Sequence, residues 1–246
     1  ALQEICRSVN GAGGRALLVG GCVRDAILGS PVNDLDFEVF GLQPGQLERL
    51  LEPRFRLDVV GQFFTVIKIH GLPIDVSIPR RGMARGIGRE GFRRHSDPTL
   101  SVEESLSRRD FTVNAIAYDP LNDEVMDPFG GLKALQGRVL RHTSEQFVED
   151  PLRVLRGMQL AARLDFSVAP ETVELCRALR MEGLPLERVF EEWKKLLLLG
   201  VRPSRGLDFL QRCGWIRYFP ELAALVECPQ DPEWHPEGDV WIHTLH

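Results

Sequence analysis

The stretch Leu17 to Phe40, LLVGGCVRDAILGSPVNDLDFEVF, governs how the rest of the chain is read. Its pattern predicts strand, glycine turn, short helix, polar turn and strand. Side chains along a strand alternate between its faces, so Asp34, Asp36 and Glu38 point one way and Leu35, Phe37 and Val39 the other. An apolar back then presents adjacent carboxylates. They lie beside Gly20-Gly21, a turn open enough to receive a phosphate. Carboxylates and a phosphate turn together suit metal-assisted phosphoryl chemistry.

Working outward, residues 1–15 read as the end of a helix and a glycine-rich loop, and Ala16–Val19 as a short strand. Val23–Leu28 reads as a helical turn or two closed by Gly29, and Pro44–Leu51 as a helix. Phe63–Ile69 and Ile74–Ile78 are β-rich runs separated by His70-Gly71, which predicts a hairpin. In the second run Asp75 and Ser77 share a face, so Asp75 is placed to join the carboxylates of the neighbouring strand. Arg80–His95, RRGMARGIGREGFRRH, holds six arginines and four glycines. It reads either as a solvated surface loop or as a phosphate-contacting loop that orders on substrate.

Thr99–Leu106 has the look of a short capped helix. RRDFTVNAIAYDP, from Arg108 to Pro120, gives a turn and an apolar run. Beyond Leu132 helical periodicity takes over: Leu132–Leu135, Pro151–Leu164, Glu171–Arg180, Leu186–Leu199, Ser204–Cys213 and Pro220–Leu225. A strand-rich head followed by helices alone predicts an α+β head on a helical body. Within Pro185–Leu199, Leu186, Val189, Phe190, Trp193, Leu196 and Leu197 form a wide apolar stripe expected to pack and orient this helix.

The 246 residues suffice for one large or two modest domains, and 43% apolar with 26% charged residues is ordinary for a globular protein. No apolar run approaches the roughly 18 residues of a membrane span. Net charge of −5 argues against indiscriminate coating of nucleic acid but allows local RNA contact. The start shows no signal-peptide or Arg-rich presequence pattern. Five scattered cysteines without a C-x-x-C pair predict free thiols in a reducing, cytoplasmic setting. The missing initiator Met and the abrupt end predict a longer natural chain. His70, His95 and His142 are isolated, and no zinc site is expected from the histidines.

Three constellations carry chemistry. In the first, Asp34 and Asp36 can share two divalent cations about 4 Å apart, which clamp the attacking oxygen and the leaving phosphate. Mg2+, with its preference for oxygen donors, is the expected cofactor. Gly20 and Gly21 let backbone N–H groups approach a triphosphate, and Arg24 adds charge-assisted hydrogen bonds. Asp75 is the weaker third carboxylate. In the second, Arg108-Arg109-Asp110 with Asn114, a guanidinium fork suits triphosphate oxygens and a carboxylate can accept from ribose hydroxyls. A helix-end salt bridge is the alternative.

The third is Glu149-Asp150-Pro151-Leu152-Arg153, extended to Arg156. Asp150 and Pro151 suit a capped helix start, and Asp150 and Arg153 fall one turn apart. That pattern is equally a plain capped helix with an ion pair. Yet cytosine and adenine both offer an amino donor beside a ring-nitrogen acceptor. One carboxylate next to one guanidinium complements that edge and mismatches uracil and guanine.

LVGGCVRDAILGSPVNDLDF resembles the head motif of class II tRNA nucleotidyltransferases, the CCA-adding enzymes, and of the related bacterial poly(A) polymerases. RRDFTVNAIAYDP, EDPLRVLRGMQLAARLDF and PLERVFEEWKKLLL resemble the later motifs of that family in the same order. The resemblance runs from about residue 15 to the C-terminus. It implies a polymerase β-like nucleotidyltransferase head with a small mixed sheet over residues 1–136, an all-helical neck with the nucleotide-selecting helix over 137–200, and the start of a helical body over 201–246. It implies addition of C and A from CTP and ATP to the 3′ end of tRNA. CC-only, A-only or poly(A) addition, or a silent RNA-binding protein on the same fold, are the rival expectations. It assigns Arg109 to the nucleotide, Asp110 and Asn114 to ordering the site, and Asp150 and Arg153 to templating the base, with Arg156 assisting. Many relatives carry a further Arg where this chain has Gln159, which removes one nucleotide contact. PEWHPEGDVWIHTLH resembles the entry to an HD phosphohydrolase-type domain, with His243 a ligand only if later residues join it.

Overall fold

The computed structural model describes residues 1–60, 66–81 and 95–246. Most of the Arg80–Arg94 segment, and the Phe63–Thr65 start of the expected hairpin, lie outside the described residues. The chain forms two compact units, Ala1–Leu135 and Gln136–His246.

The first unit opens with α1 (Leu2–Gly11), which buries Ile5, Cys6 and Val9. Strand β1 (Arg15–Val19) follows and turns through Gly20 into α2 (Gly21–Ile27). Strand β2 (Leu35–Phe40) carries the second aspartate of the pair, and Asp34 immediately precedes it. Helix α3 (Pro44–Leu51) has Pro at its first turn and a capping box closed by Gln43 and Gln46. Three strands come next, β3 (Leu57–Val60), β4 (Val66–Ile69) and β5 (Ile74–Ser77). The two-residue strands β6 (Arg80–Arg81) and β7 (His95–Ser96) pair with each other. Ser101 and Glu104 cap α4 (Val102–Ser107) reciprocally. The hairpin of β8 (Ala117–Asp119) and β9 (Glu124–Met126) then leads to α5 (Gly131–Gln136).

These strands form a seven-stranded sheet in the order β3-β4-β5-β2-β1-β8-β9. β2 and β5 run parallel; the other neighbours are antiparallel. A parallel pair needs a crossover, here supplied by the stretch containing α3, β3 and β4. Leu17, Val19, Phe40 and Ala117 share the face of Asp36 and Glu38 and meet Leu106 and Ala115 in one core, while Phe37 and Val39 are buried on the opposite face. β2 is thus central, with buried apolar residues on both of its faces.

In the second unit, β10 (Val139–Leu140) and β11 (Ser167–Val168) form a short parallel bridge. The region expected to be all-helical therefore contains a minimal sheet, too short to show an alternating pattern. Between those strands lies α6 (Leu152–Leu164), ended by Asp165 in the left-handed conformation. It is followed by α7 (Pro170–Arg177), α8 (Leu186–Leu199), α9 (Pro203–Arg212), α10 (Pro220–Ala223) and α11 (Val240–Leu245). Gly206 lets α9 approach α6 closely: a Cβ there would stand 2.4 Å from the Met158 carbonyl oxygen. Two fully buried tryptophans are tied by their indole N–H groups, Trp215 to the Cys176 carbonyl at 3.0 Å and Trp241 to Gln211 Oε1 at 2.6 Å. No described helix is long and apolar enough to cross a membrane, and all five cysteines are free thiols.

The wide stripe expected on α8 is narrower in the structure. Val189, Glu192 and Leu196 are its buried positions, whereas Leu186, Phe190 and Leu197 are 76%, 64% and 71% exposed. The buried set follows i, i+3, i+7, and the exposed three lie on the adjoining face.

Candidate active site

The carboxylates are assembled by strand register. Asp36 on β2 stands beside Asp75 on β5, and Asp75 stands opposite Lys68 on β4. Asp36, Asp75 and Lys68 therefore form a row across three adjacent strands. Lys68 Nζ donates to both oxygens of Asp75, at 3.0 and 2.8 Å. A cavity of about 400 Å³ opens over this row, with Asp34, Asp58, His70 and Pro73 also in its walls. His70 Nδ1 lies 3.0 Å from Asp58 Oδ2.

Asp36 reaches solvent, but its surroundings disfavour charge. Desolvation by the protein raises its pKa; Arg109 lowers it, Asp75 and Asp34 raise it further, and Lys68 lowers it, leaving it above the ordinary aspartate value. A carboxylate pushed up by burial and like charges is one that a divalent cation relieves. Asp34 and Asp36 offer adjacent, solvent-accessible oxygens, which fit a hard, oxygen-seeking cation such as Mg2+. Glu38 lies on the same face of β2 as Asp36 but is covered there. It is buried, accepts from Ser105 Oγ at 2.8 Å, and lies 3.9 Å from Arg109 Nη2.

On the β1 side of β2 lies the glycine turn. Gly20 has φ +80° and ψ −133°, a conformation open chiefly to glycine. A Cβ on it would stand 2.5 Å from Arg109 Nη1. Arg109 is thus brought to the turn.

Arg24 also lies at the turn, its Nη2 3.5 Å from where a Cβ on Gly21 would stand, but it is held in the interior. It is 3% exposed, and its guanidinium grips Asp25 at two points, Nε to Oδ1 at 2.8 Å and Nη2 to Oδ2 at 2.9 Å. Its Nη1 donates to Asn114 Oδ1 at 2.6 Å, and Asn114 Nδ2 donates to Asp110 Oδ1 at 2.9 Å. The same Asp110 oxygen accepts from the Phe111 N–H. A buried guanidinium with an adjacent carboxylate gains most from this pairing. Arg24, Asp25, Asn114 and Asp110 form one buried relay that joins α2 to the 3-10 turn Thr112–Asn114. Arg24 and Asp25 pair in the interior.

In the second unit the expected base-reading residues sit at the head of α6. Asp150 Oδ1 accepts from the Leu152 N–H at 3.1 Å, the helix-start role read from sequence. Its other oxygen accepts from Arg188 Nη2 at 2.8 Å. Arg153 Nη1 donates to the Gln146 carbonyl at 2.7 Å, with its guanidinium 5.9 Å from the centroid of the buried Phe147 ring. Arg156 lies on the same helix, half-buried, and Gln159 is buried. Among the described residues, His235, Glu237 and His243 bring one ligand atom each within 4.8 Å of one another. That grouping was not expected from the isolated histidines of the sequence. The 2.5 Å bond from His243 holds Glu237 down at about pKa 2.

Sequence reasoning missed Lys68, Glu38 with Ser105, Arg188 and Phe147. Lys68 had a legible signal, since its alternation in β4 faces Asp75. Arg188 had none, because nothing in a helix's own pattern tells which distant carboxylate it meets.

The sequence model of the poly A polymerase head domain matches residues 16–141, just over half of the chain. The chain belongs to the poly A polymerase head-domain family. The motif resemblance to class II tRNA nucleotidyltransferases and bacterial poly(A) polymerases is thereby borne out. A second family model, "Probable RNA and SrmB-binding site of polymerase A", matches residues 165–225. Among curated relatives, the Multifunctional CCA protein of Xanthomonas campestris pv. campestris is 42% identical over 235 residues, which is 92% of this chain and 56% of that protein. The chain thus spans little more than half the length of the curated relatives it matches. Among solved structures, the Bacillus stearothermophilus CCA-adding enzyme in complex with CTP aligns with TM-score 0.68 and 31% identity, covering 85% of this chain and 51% of that one. The Thermotoga maritima CCA-adding enzyme complexed with tRNA aligns with TM-score 0.71 and 26% identity, covering 89% and 52%. The poly A polymerase head-domain match ends at Arg141, so α6 and the residues expected from the sequence to read the base lie beyond it.

Proposed function

We propose that this chain carries the transferase core of a tRNA nucleotidyltransferase, which adds C and A from CTP and ATP to the 3′ end of tRNA. The observation that carries the reading is the central strand β2, with the Asp34–Asp36 carboxylates at its start and the Gly20–Arg109 cradle on the neighbouring strand's end. An RNA 3′-hydroxyl oxygen bonds to the α-phosphorus of the nucleotide. The bond from that phosphorus to the β-bridging oxygen breaks, the hydroxyl proton is lost, and pyrophosphate leaves.

In this reading Asp34 and Asp36 would hold Mg2+, which would supply charge neutralisation at the reacting phosphate. Gly20, Gly21 and Arg109 receive the triphosphate. The Arg24, Asp110 and Asn114 relay fixes the turn that does so, making Arg24 a positioning residue. Asp150 and Arg153 read the amino donor and ring acceptor of C or A, and Arg156 contributes a further contact. Residues 1–136 act as head, 137–200 as neck and 201–246 as the start of the body. The CTP complex and the tRNA complex of the similar enzymes support this assignment of ligands. Buried free cysteines agree with a reducing, cytoplasmic setting.

The test is stepwise. Transcripts ending at the discriminator base, at C and at CC are incubated with each nucleoside triphosphate separately. Two C additions followed by one A from ATP are expected. Long A runs on any RNA would instead mark a poly(A) polymerase, and RNA binding without incorporation would mark a silent relative.

A further inference from the structure

Strand register brings Asp75 to Asp36 as a third carboxylate, and Lys68 determines what it can do. The Lys68 ammonium meets both Asp75 oxygens, at 3.0 and 2.8 Å, from the directly opposed position on β4. Asp34 and Asp36 have no such partner among the described residues: no ion pair or side-chain hydrogen bond engages either carboxylate there. The three carboxylates therefore divide into two open ones, Asp34 and Asp36, and one already neutralised, Asp75. A cation that took Asp75 as a ligand would have to break a two-point contact and leave the Lys68 charge beside a divalent ion. The pair is half open to water, with side chains 51% and 38% exposed. Its effect is therefore expected to be modest in size but specific in direction.

We propose that Lys68 keeps Asp75 outside the metal shell, so that Asp34 and Asp36 alone hold the divalent cations, and that Lys68 thereby sets how tightly they are held. Lys68 acts as a built-in counter-ion and positioning residue. This rests on the transferase reading above.

Manganese binding to the whole chain, followed by electron paramagnetic resonance without nucleotide, tests it independently of turnover. D75N is expected to bind Mn2+ within twofold of the parent. K68M should bind it about fivefold tighter, because a positive charge leaves and Asp75 becomes available. K68R, which preserves the ion pair, should restore the parent affinity. The double variant K68M/D75N should lose most of the gain. Thermal melts followed by circular dichroism establish that each variant is folded. A loss in D75N as large as that in D34N would overturn the proposal, as would parent-like binding by K68M. Unchanged binding in D34N would remove the transferase reading as well, so the two failures are told apart.

Discussion

The guanidinium of Arg109 rests against the backbone of Gly20, so closely that a single methyl group on the glycine would stand 2.5 Å from Nη1. The turn and the arginine are thus one fitted unit, although 89 positions separate them in the chain. Gly20→Ala adds a steric conflict to an unfavourable φ of +80°, which costs of order 1–3 kcal/mol. Displacing Arg109 by even 1 Å is expected to lower nucleotide incorporation about 100-fold. Incorporation of labelled CTP and the melting temperature of the variant check both effects.

Asp36 illustrates a conflict between stability and function. Its pKa is raised by desolvation and by its acidic neighbours. A carboxylate whose folded pKa is raised costs stability while ionised, and that cost disappears as pH falls through the raised value. Asp36→Asn keeps the shape and removes the charge. The variant is expected to melt at or above the parent temperature at pH 7 while losing incorporation almost entirely. A clear drop in melting temperature would show that the charge stabilises the fold and contradict this account.

Arg188 meets Asp150 at 2.8 Å from a different helix. In the proposed function Asp150 reads the base, so its orientation sets specificity. Arg188→Ala leaves the bond from the Leu152 N–H and frees the other oxygen to turn. Selection of CTP over UTP, measured as the ratio of kcat/KM values, is expected to fall about tenfold, a loss of ~1.4 kcal/mol. Arg188→Lys should recover part of it, because a lysine supplies the charge without the planar fork.

Asp119 offers a pH test remote from the chemistry. Burial pushes its pKa up, but bonds from Asn122, Arg15 and the Leu121 and Asn122 N–H groups outweigh it, and the net shift is downward. A depressed carboxylate stabilises the fold above the unfolded value, roughly 3.9 for aspartate, and that contribution is lost as pH falls through the folded value. Asp119→Asn should cost about 2 kcal/mol at pH 7. The gap from the parent should narrow below about pH 4 in denaturant titrations.

The head's central elements were legible because their signals are local. Alternation in Leu35–Phe40, the glycine pair, Pro44 at a helix start and the Ser101–Glu104 cap each act over a few residues. The same alternation placed Asp75 beside Asp36, as the register bears out. The hairpin Ala117–Met126 escaped notice because its strands are three residues each and its second strand is largely exposed. The burial of Glu38 and Arg24 was not legible for a different reason. Their burial depends on Ser105, Asn114 and Asp110, partners far away in sequence. A helix stripe shows which residues are apolar but not which of them find a neighbour, so α8 was read too wide.

The buried relay from Asp25 through Arg24 and Asn114 to Asp110 ties the helix that follows the glycine turn to the segment that follows Arg109. Four polar side chains without ready access to water cannot let go one at a time, since each release strands a charged or polar partner in the interior. The two halves of the cradle therefore do not fray separately. They are expected to open together, in a single cooperative event, so that in the proposed function the nucleotide meets a surface already in its working form.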